Sequence, residues 1–466
     1  MVAGRSIPGW AAGVAVMAAY ISSISYIATP GKAFETNWHP VLFALAMIPV
    51  AWFICKYAVP YYRKAQLISV YEFLEVRLGQ WGRVYAALSF VLYMIGRSAV
   101  IFYLAGLLLN TIAPWNIVVF IILMGAITVF YSLLGGMEAV IWTDVFQSII
   151  MLAGIIFCAV LLSIKVFAGP DFLLQSAFDA NKFSFGSLNL ELSSRTVWVM
   201  IIYGITENFR NLLADQNYVQ KYASVPDERQ AKRSIWYATW MYIGFTALFL
   251  YTGTALYAFY SNSTELADHN ILKGDQVFPY YIATQLPVGV KGLVVAAILA
   301  SAMSTVSSAL NCSATVMLLD FHKRYFNTRM TEKASMNYLR WITVVWGILG
   351  TGFAILMIKA ASALDTWWAI SGIFGGGILG LFLLALMKIR LRLWQGLVSI
   401  GFSIAVITWG VFARNLSVEW RWLQCDFDTI ITGAIGTIGM LLVGVLFGLT
   451  NRNLCSVRTD AEKKVL

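Results

Sequence analysis

The sequence predicts an all-α membrane protein crossing the bilayer about twelve times. Three observations carry this. Apolar residues fill 59% of the 466 positions. Charged residues fill only 12%, against about 25% in a soluble domain, so a soluble fold would lack polar surface. The apolar residues come in continuous runs of about 20 rather than in alternation, which favours helices and excludes a β-barrel. Lipid offers the backbone no partner, so each run must satisfy its own hydrogen bonds as a helix. A soluble enzyme, a disordered chain and a disulfide scaffold are excluded. The five cysteines form no CxxC pair or Cys/His cluster, and the stretch from Met1 to Pro8 is too short and polar for a signal peptide.

In order, hydropathy places spans near 9–28, 40–59, 83–111, 115–135, 139–168, 196–220, 234–261, 289–320, 337–358, 364–387, 393–413 and 427–450. Twelve spans put both termini on one side. With Met1 in the cytoplasm, the cytoplasmic loops and tail carry 22 Lys and Arg residues, Arg83 and Lys221 among them, and the opposite side carries 9. The positive-inside rule therefore predicts cytoplasmic termini. The longest outer loops, about 169–195 and 262–288, and the tail 451–466 are too short for an attached enzyme, signalling or nucleic-acid-binding domain.

Polar side chains within spans are costly and mark function by default. The first span holds Ser22, Ser23 and Ser25 before Thr29-Pro30-Gly31. This reads either as an unwound helix with freed carbonyls, as in ion-coupled transporters, or as small residues that allow close packing. Arg97 lies deep in the third span and keeps its charge, so it needs Glu207, Asp144 or the carboxylate of a substrate. Asp144 stands near the start of the fifth span, where it either offsets the helix dipole or adds charge to a cation site. The sixth span contains Thr206, Glu207, Asn208, Arg210, Asn211, Asp215 and Gln216, which either pair among themselves at its cytoplasmic end or mark a second interrupted helix. In the eighth span Ser301, Ser304, Thr305 and Ser308 fall at i, i+3, i+4 and i+7 on one face. They either supply oxygens to a sodium ion or bond back to their own helix.

Three segments resemble the sodium/solute symporter family. They are Gly135-Gly136 through Trp142-Thr143-Asp144 to Gln147, Asp215-Gln216 through Val219-Gln220-Lys221-Tyr222, and Ser304-Thr305 through Asn311, Ala314 and Asp320. The resemblance covers about residues 2–450. It implies the leucine-transporter-like core of two inverted five-helix repeats, with the first and sixth helices interrupted. The core would occupy 1–388, with repeats at about 9–168 and 196–387 and two peripheral helices in 389–450.

The resemblance also implies sites. A first sodium ion would use the carbonyls of Ala18, Ile21 and Ser301 and the hydroxyls of Ser304 and Thr305. A second would use Asp144, Ser304, Ser307 and Ser308. Sodium is then co-transported, and no organic cofactor is implied. Within the family the bacterial sialic acid symporters look most similar, through Arg97 and the first-span hydroxyls Ser22 and Ser25. Asn208 joins the expected substrate set, while Ala44 stands where those members place a polar substrate partner. Against the sodium/galactose members, Tyr242 replaces the sugar-binding lysine, Ser25 the first-span glutamine and Tyr20 the first-span amide. Family members begin with a further helix before the Ala3–Pro8 junction, so this chain either lacks it or starts late.

The expectation is a sodium symporter, not an enzyme, in the bacterial inner membrane. It would import a carboxylate-bearing sugar such as sialic acid by alternating access. Rivals are an importer of a neutral sugar or another organic acid, and a channel or transport-inactive sensor with the same fold. The expected partners are the small solute and the bilayer, with no nucleic acid; the sequence leaves oligomeric state open.

Overall fold

The computed structural model describes residues 5–65, 69–113, 115–133, 137–168, 172–261, 263–269, 271, 273–359, 363–413 and 423–450. Gly135 and Gly136, Cys455 and the tail 451–466 lie outside them. Each of the twelve expected segments contains helix among the described residues. Among the described residues eight helices are long and apolar enough to span: Val41–Lys64, Gln80–Ile112, Glu138–Phe167, Glu228–Tyr260, Val288–Phe326, Glu332–Lys359, Leu393–Phe412 and Thr429–Thr450. Ile117–Ser132 and Ile370–Leu386 are shorter apolar helices in the fourth and tenth positions. The remaining two, the first and the sixth, are broken.

The first span runs Gly9–Tyr20, opens at 21–23, and continues as Ile24–Glu35 with a bend of 62°. The sixth runs Val197–Phe209, passes through a widened turn, Arg210–Ala214, and breaks at the extended residue Asp215 before Gln216–Ala223. The two breaks stand five spans apart. The first is tighter than the serine-to-glycine stretch implied, because Pro30 sits in the first turn of the resumed helix Thr29–Glu35. The helix has already resumed at Ile24, and Pro30 falls where the widened turn Ile24–Ala28 gives way to regular helix.

Close approach around that second half requires glycine. A Cβ on Gly253 would lie 2.2 Å from the Pro30 carbonyl oxygen, and one on Gly31 would lie 2.6 Å from the Gly274 backbone. Gly274 opens the loop helix Gly274–Gln285, and its N–H donates to Glu35 Oε1 at 2.7 Å. Across the same helix end, Lys182 Nζ donates to the carbonyls of Phe34 at 2.6 Å and Glu35 at 3.2 Å. A cation there satisfies the orphan carbonyls and complements the helix dipole. Large apolar residues face outward on the fifth, ninth and eleventh spans, for example Phe146, Ile149, Trp341, Ile348 and Phe412, as a lipid-facing surface requires.

Two cations assigned to cytoplasmic loops are buried instead. Arg83 donates to Asp320 at 2.6 Å and Glu75 at 2.6 Å, and Ser69 donates to both Asp320 oxygens at 2.9 Å. Lys221 is fully buried against Asp144. Arg83 stands at the first residue of the expected third span, where the helix in fact begins at Gln80, and Lys221 one residue past the expected sixth, where the helix continues to Ala223.

Gly253→Ala should destabilise the detergent-solubilised protein by about 1–3 kcal/mol through the clash with Pro30. Gly244→Ala on the same helix has nothing within 4 Å of the added Cβ and should leave the thermal midpoint unchanged or slightly raised.

Candidate functional site

The break in the first span frees backbone carbonyls, and side chains of this and other spans meet them. The Ala19 carbonyl accepts hydrogen bonds from Arg97 Nη2 and, at 3.1 Å, from the Tyr218 hydroxyl. The Tyr20 carbonyl accepts from Ser25 Oγ at 3.2 Å. The Ile21 carbonyl accepts from Thr305 Oγ1 at 3.2 Å and Ser301 Oγ at 3.4 Å. Ser22 Oγ receives the Ile24 N–H at 3.2 Å and so caps the resumed helix, while Ser23 Oγ reaches the Ile101 carbonyl at 3.2 Å.

This places Ile21, Ser301 and Thr305 together, with Thr305 also donating to the Ser301 carbonyl at 3.1 Å. Ala18 is fully buried one turn before the break. Ser301 brings its hydroxyl as well as its carbonyl to this junction, whereas the family resemblance assigned only the carbonyl. Ser304 turns the other way and donates to Asp144 Oδ1. Ser307 bonds back to the Ser304 carbonyl at 3.1 Å. Ser308 is buried close enough to Asp144 to interact with it, while its hydroxyl makes no full hydrogen bond. The hydroxyl face of the eighth span is therefore divided between the first-span break and the fifth-span acid.

Asp144 stands two turns inside a helix that begins at Met137, beyond the reach of its N-terminal dipole. Its partner is Lys221, with Nζ 2.9 Å from Oδ2 and both side chains 0% exposed. Lys221 Nζ also donates to the Ala15 carbonyl at 3.1 Å. The sixth-span charges pair with one another. Arg210 donates to Glu207 at 2.8 and 2.9 Å, to Asp215 at 3.3 Å, to the Tyr93 hydroxyl at 2.7 Å and to Asn211 Oδ1 at 2.8 Å. Ser371 donates to the same Glu207 oxygen at 3.1 Å.

Arg97 is thereby left without an ion pair, although Asp215 is near enough to act on it through space. Glu207 belongs to Arg210 and Asp144 to Lys221, and among the described residues no carboxylate lies within ion-pair distance of Arg97. Its Nε and Nη1 are buried with no hydrogen-bond partner, although the Tyr218 hydroxyl is close by. Trp367 lies 5.5 Å from the guanidinium carbon, near enough for a cation–π contact.

Arg97 is on the wall of the main cavity. Its empty space is about 890 Å³, the open mouth included, and it runs from Tyr20 and Ser22 at the break to Lys32 and Pro40. Ser25 and Tyr242 are on the wall too, with Tyr93, Tyr203, Tyr218 and Trp367. Three cations reach it, Lys32, Arg97 and Arg210, against the one carboxylate of Glu207. Asn208 is not on this wall. Its amide donates to the carbonyls of Phe43 at 3.0 Å and Gly204 at 2.8 Å, which ties the sixth span to the second. The neighbouring Asn211 faces the cavity instead. The aromatic wall was not singled out from sequence because aromatic residues are 15% of the chain and no spacing marks these.

Removing one partner of a buried pair strands the other charge. Asp144→Asn should lower stability by about 3–5 kcal/mol. Adding Lys221→Met should recover most of that loss, read as the thermal midpoint of the purified protein.

Against this geometry, known proteins are informative. The model of the sodium:solute symporter family matches residues 1–397. A sodium/sialic acid symporter of Aliivibrio fischeri is 31% identical over 451 residues, spanning 95% of this chain and 86% of the relative. One of Proteus mirabilis is 30% identical over 450 residues, spanning 95% and 88%. A solved structure of a Na+-coupled sialic acid symporter, in a substrate-bound outward-open state, superposes with a TM-score of 0.85. It is 28% identical and covers 96% of this chain and 91% of its own. The fold is the leucine-transporter-like one. With broken first and sixth helices, a hydroxyl face against the freed Ile21 carbonyl and a family match over most of its length, this integral membrane protein belongs to the sodium:solute symporter family.

Proposed function

We propose that this protein imports a small carboxylate-bearing solute, most simply a sialic acid, with sodium and by alternating access. The observation that carries the solute class is Arg97. It is a fully buried cation on the cavity wall with two unmet donors, and the nearby acids are engaged elsewhere. A guanidinium matches a carboxylate through two parallel N–H bonds, so a solute acid would complete the network. Ser22 and Ser25 would meet the solute's polar groups, and the aromatic wall would pack its ring or chain. The sialic acid symporters among the relatives support the same class. Asn208 would act indirectly, by holding the sixth span against the second.

Sodium would bind beside Ile21, Ser301 and Thr305, with the Ala18 carbonyl and a Ser304 hydroxyl turned away from Asp144 completing the set. The hydroxyl hydrogens of Ser301 and Thr305 rotate freely, so the same oxygens that donate to Ile21 would turn their lone pairs to a cation. That cation would draw the eighth span onto the broken first span and fix the carbonyls on which Arg97 and Tyr218 rest. Solute and sodium would thus favour the same conformation, as coupling requires. Each sodium moving inward through the potential gains about 2.3 kcal/mol per 100 mV. The loop charges favour cytoplasmic termini, and the bacterial relatives favour the bacterial inner membrane. We infer a transporter and not an enzyme. Clustered midplane oxygens, rather than a polar stripe through the bundle, speak against a channel.

A panel of labelled solutes in proteoliposomes tests this reading. N-acetylneuraminate, galactose and lactate are offered with an inward sodium gradient or with potassium. The expected result is sodium-dependent uptake of N-acetylneuraminate and little uptake of galactose. Uptake unaffected by replacing sodium with potassium overturns the coupling. Arg97→Ala should raise the half-saturating concentration of the acid by roughly 30-fold or more, corresponding to about 2 kcal/mol or more for an unpaired buried charge. An unchanged value removes Arg97 from the solute site.

A further inference from the structure

The second and sixth spans each contain a widened turn, Ile54–Ala58 and Arg210–Ala214, and the two turns stand against each other. Such turns are rare and gather at functional sites. A cavity with about 680 Å³ of empty space, its open side included, lies where they meet. It is separate from the solute cavity. Its wall is apolar and aromatic, formed chiefly by Phe53, Tyr57, Ala58, Tyr61, Phe73 and Leu213.

Two features show what this cavity faces. Trp52, Tyr57, Leu386 and Met387 around it are exposed, as on a surface that meets lipid at the level of the headgroups. The rim is also basic. Lys56 Nζ lies 4.8 Å from the ring centre of Trp52 and 5.2 Å from that of Tyr57, and Arg77 interacts with the Tyr61 hydroxyl. Two tyrosines of the wall thus each carry a cation. The second span has no acid from Val41 to Lys64. On the neighbouring helix Glu72–Leu78, Glu75 is taken by Arg83 and Arg324, and Glu72 acts on Asp320.

We propose that this cavity binds an anionic phospholipid of the cytoplasmic leaflet. One acyl chain would lie between the two widened turns, with the headgroup on the basic side marked by Lys56 and Arg77. The leaflet follows from the loop charges, which favour the cytoplasm for this end of the bundle.

The chemistry selects that occupant. An apolar cavity open to the bilayer takes a hydrocarbon chain, and a chain alone needs no cation. Basic side chains at headgroup level favour an anionic lipid over a zwitterionic one. Lys56 can lay its apolar stem along the aromatic rings and carry its ammonium to the headgroups. The backbone of the sixth-span turn is already satisfied. The Leu213 carbonyl accepts from the Tyr62 hydroxyl at 2.5 Å, and the Leu212 carbonyl from Tyr222 at 2.9 Å. What the turn lacks behind Leu213 is apolar packing, because a gap forfeits dispersion contacts. A lipid chain supplies it. The same turn presents Arg210 and Asn211 to the solute cavity and Leu213 to this one, so the chain would buttress the solute wall from behind.

Native mass spectrometry of the purified full-length protein tests this without any solute. The protein is held in mixed micelles with equal amounts of dioleoylphosphatidylglycerol and dioleoylphosphatidylcholine. Wild type should retain phosphatidylglycerol in preference to phosphatidylcholine under activation that strips detergent. Lys56→Gln, at an exposed side chain, should lower that preference about fivefold, the equivalent of about 1 kcal/mol for one basic residue at the membrane surface. Ala58→Phe fills the chain position and should abolish retention. Equal retention of the two lipids by wild type overturns the proposal, as does an unchanged preference in Lys56→Gln. Wild-type retention by folded Ala58→Phe overturns it too. Detergent alone in the cavity, or a dimer whose contact excludes lipid from this face, would do the same. Should Ala58→Phe not fold, the Lys56→Gln comparison decides.

Discussion

The structure depends on what happens to a few backbone carbonyls at the break in the first span. A helix crossing lipid satisfies its own backbone, and opening it at residues 21–23 leaves oxygens that need new partners. Ser25 of the same span meets the Tyr20 carbonyl, and other spans meet its neighbours. Arg97 of the third span and Tyr218 of the sixth meet Ala19, and Ser301 and Thr305 of the eighth meet Ile21. The break is thus a junction at which the cavity and the hydroxyl face share one strip of backbone. Adjacent carbonyls serve the two sides, so a change of partner on one side is felt on the other without a long pathway between them.

Charge allocation is the second organising constraint. Buried ions persist only when paired, and the interior satisfies that rule for Asp144 with Lys221, for Glu207 and Asp215 with Arg210, and for Asp320 with Arg83. Arg97 departs from the rule. Its exception has a simple physical reading, because a cation that waits for a solute acid must not be neutralised by the protein first. The aromatic wall complements this. Tyr93, Tyr203, Tyr218 and Trp367 add aromatic faces to the same wall, on which the ring or chain of a solute can pack.

Much of this was legible in the sequence, and what was not has identifiable causes. Continuous apolar runs located twelve helical segments, and the serines and Pro-Gly marked the first interruption to within a turn. The i, i+3, i+4, i+7 spacing put the eighth-span hydroxyls on one face, but spacing cannot say that Ser304 turns to Asp144 while Thr305 turns to Ile21. That division depends on which neighbour each hydroxyl meets. Lys221 and Arg83 read as loop cations because polar stretches end a hydropathy run. Only the fold back into the bundle after Asp215 reveals that Lys221 faces Asp144, 77 positions away in the chain. Asn208 carried a polar group at the right depth, yet its helix turns that amide to Phe43 and presents Asn211 instead.

The central claim is that sodium and a solute carboxylate stabilise the same arrangement of the broken first span. Calorimetric titration of the purified protein with N-acetylneuraminate, in sodium and then in potassium, tests it most directly. Coupling of ordinary size predicts binding at least about tenfold tighter in sodium, and by reciprocity an equal tightening of sodium by the solute. Equal affinity in the two salts would contradict the account.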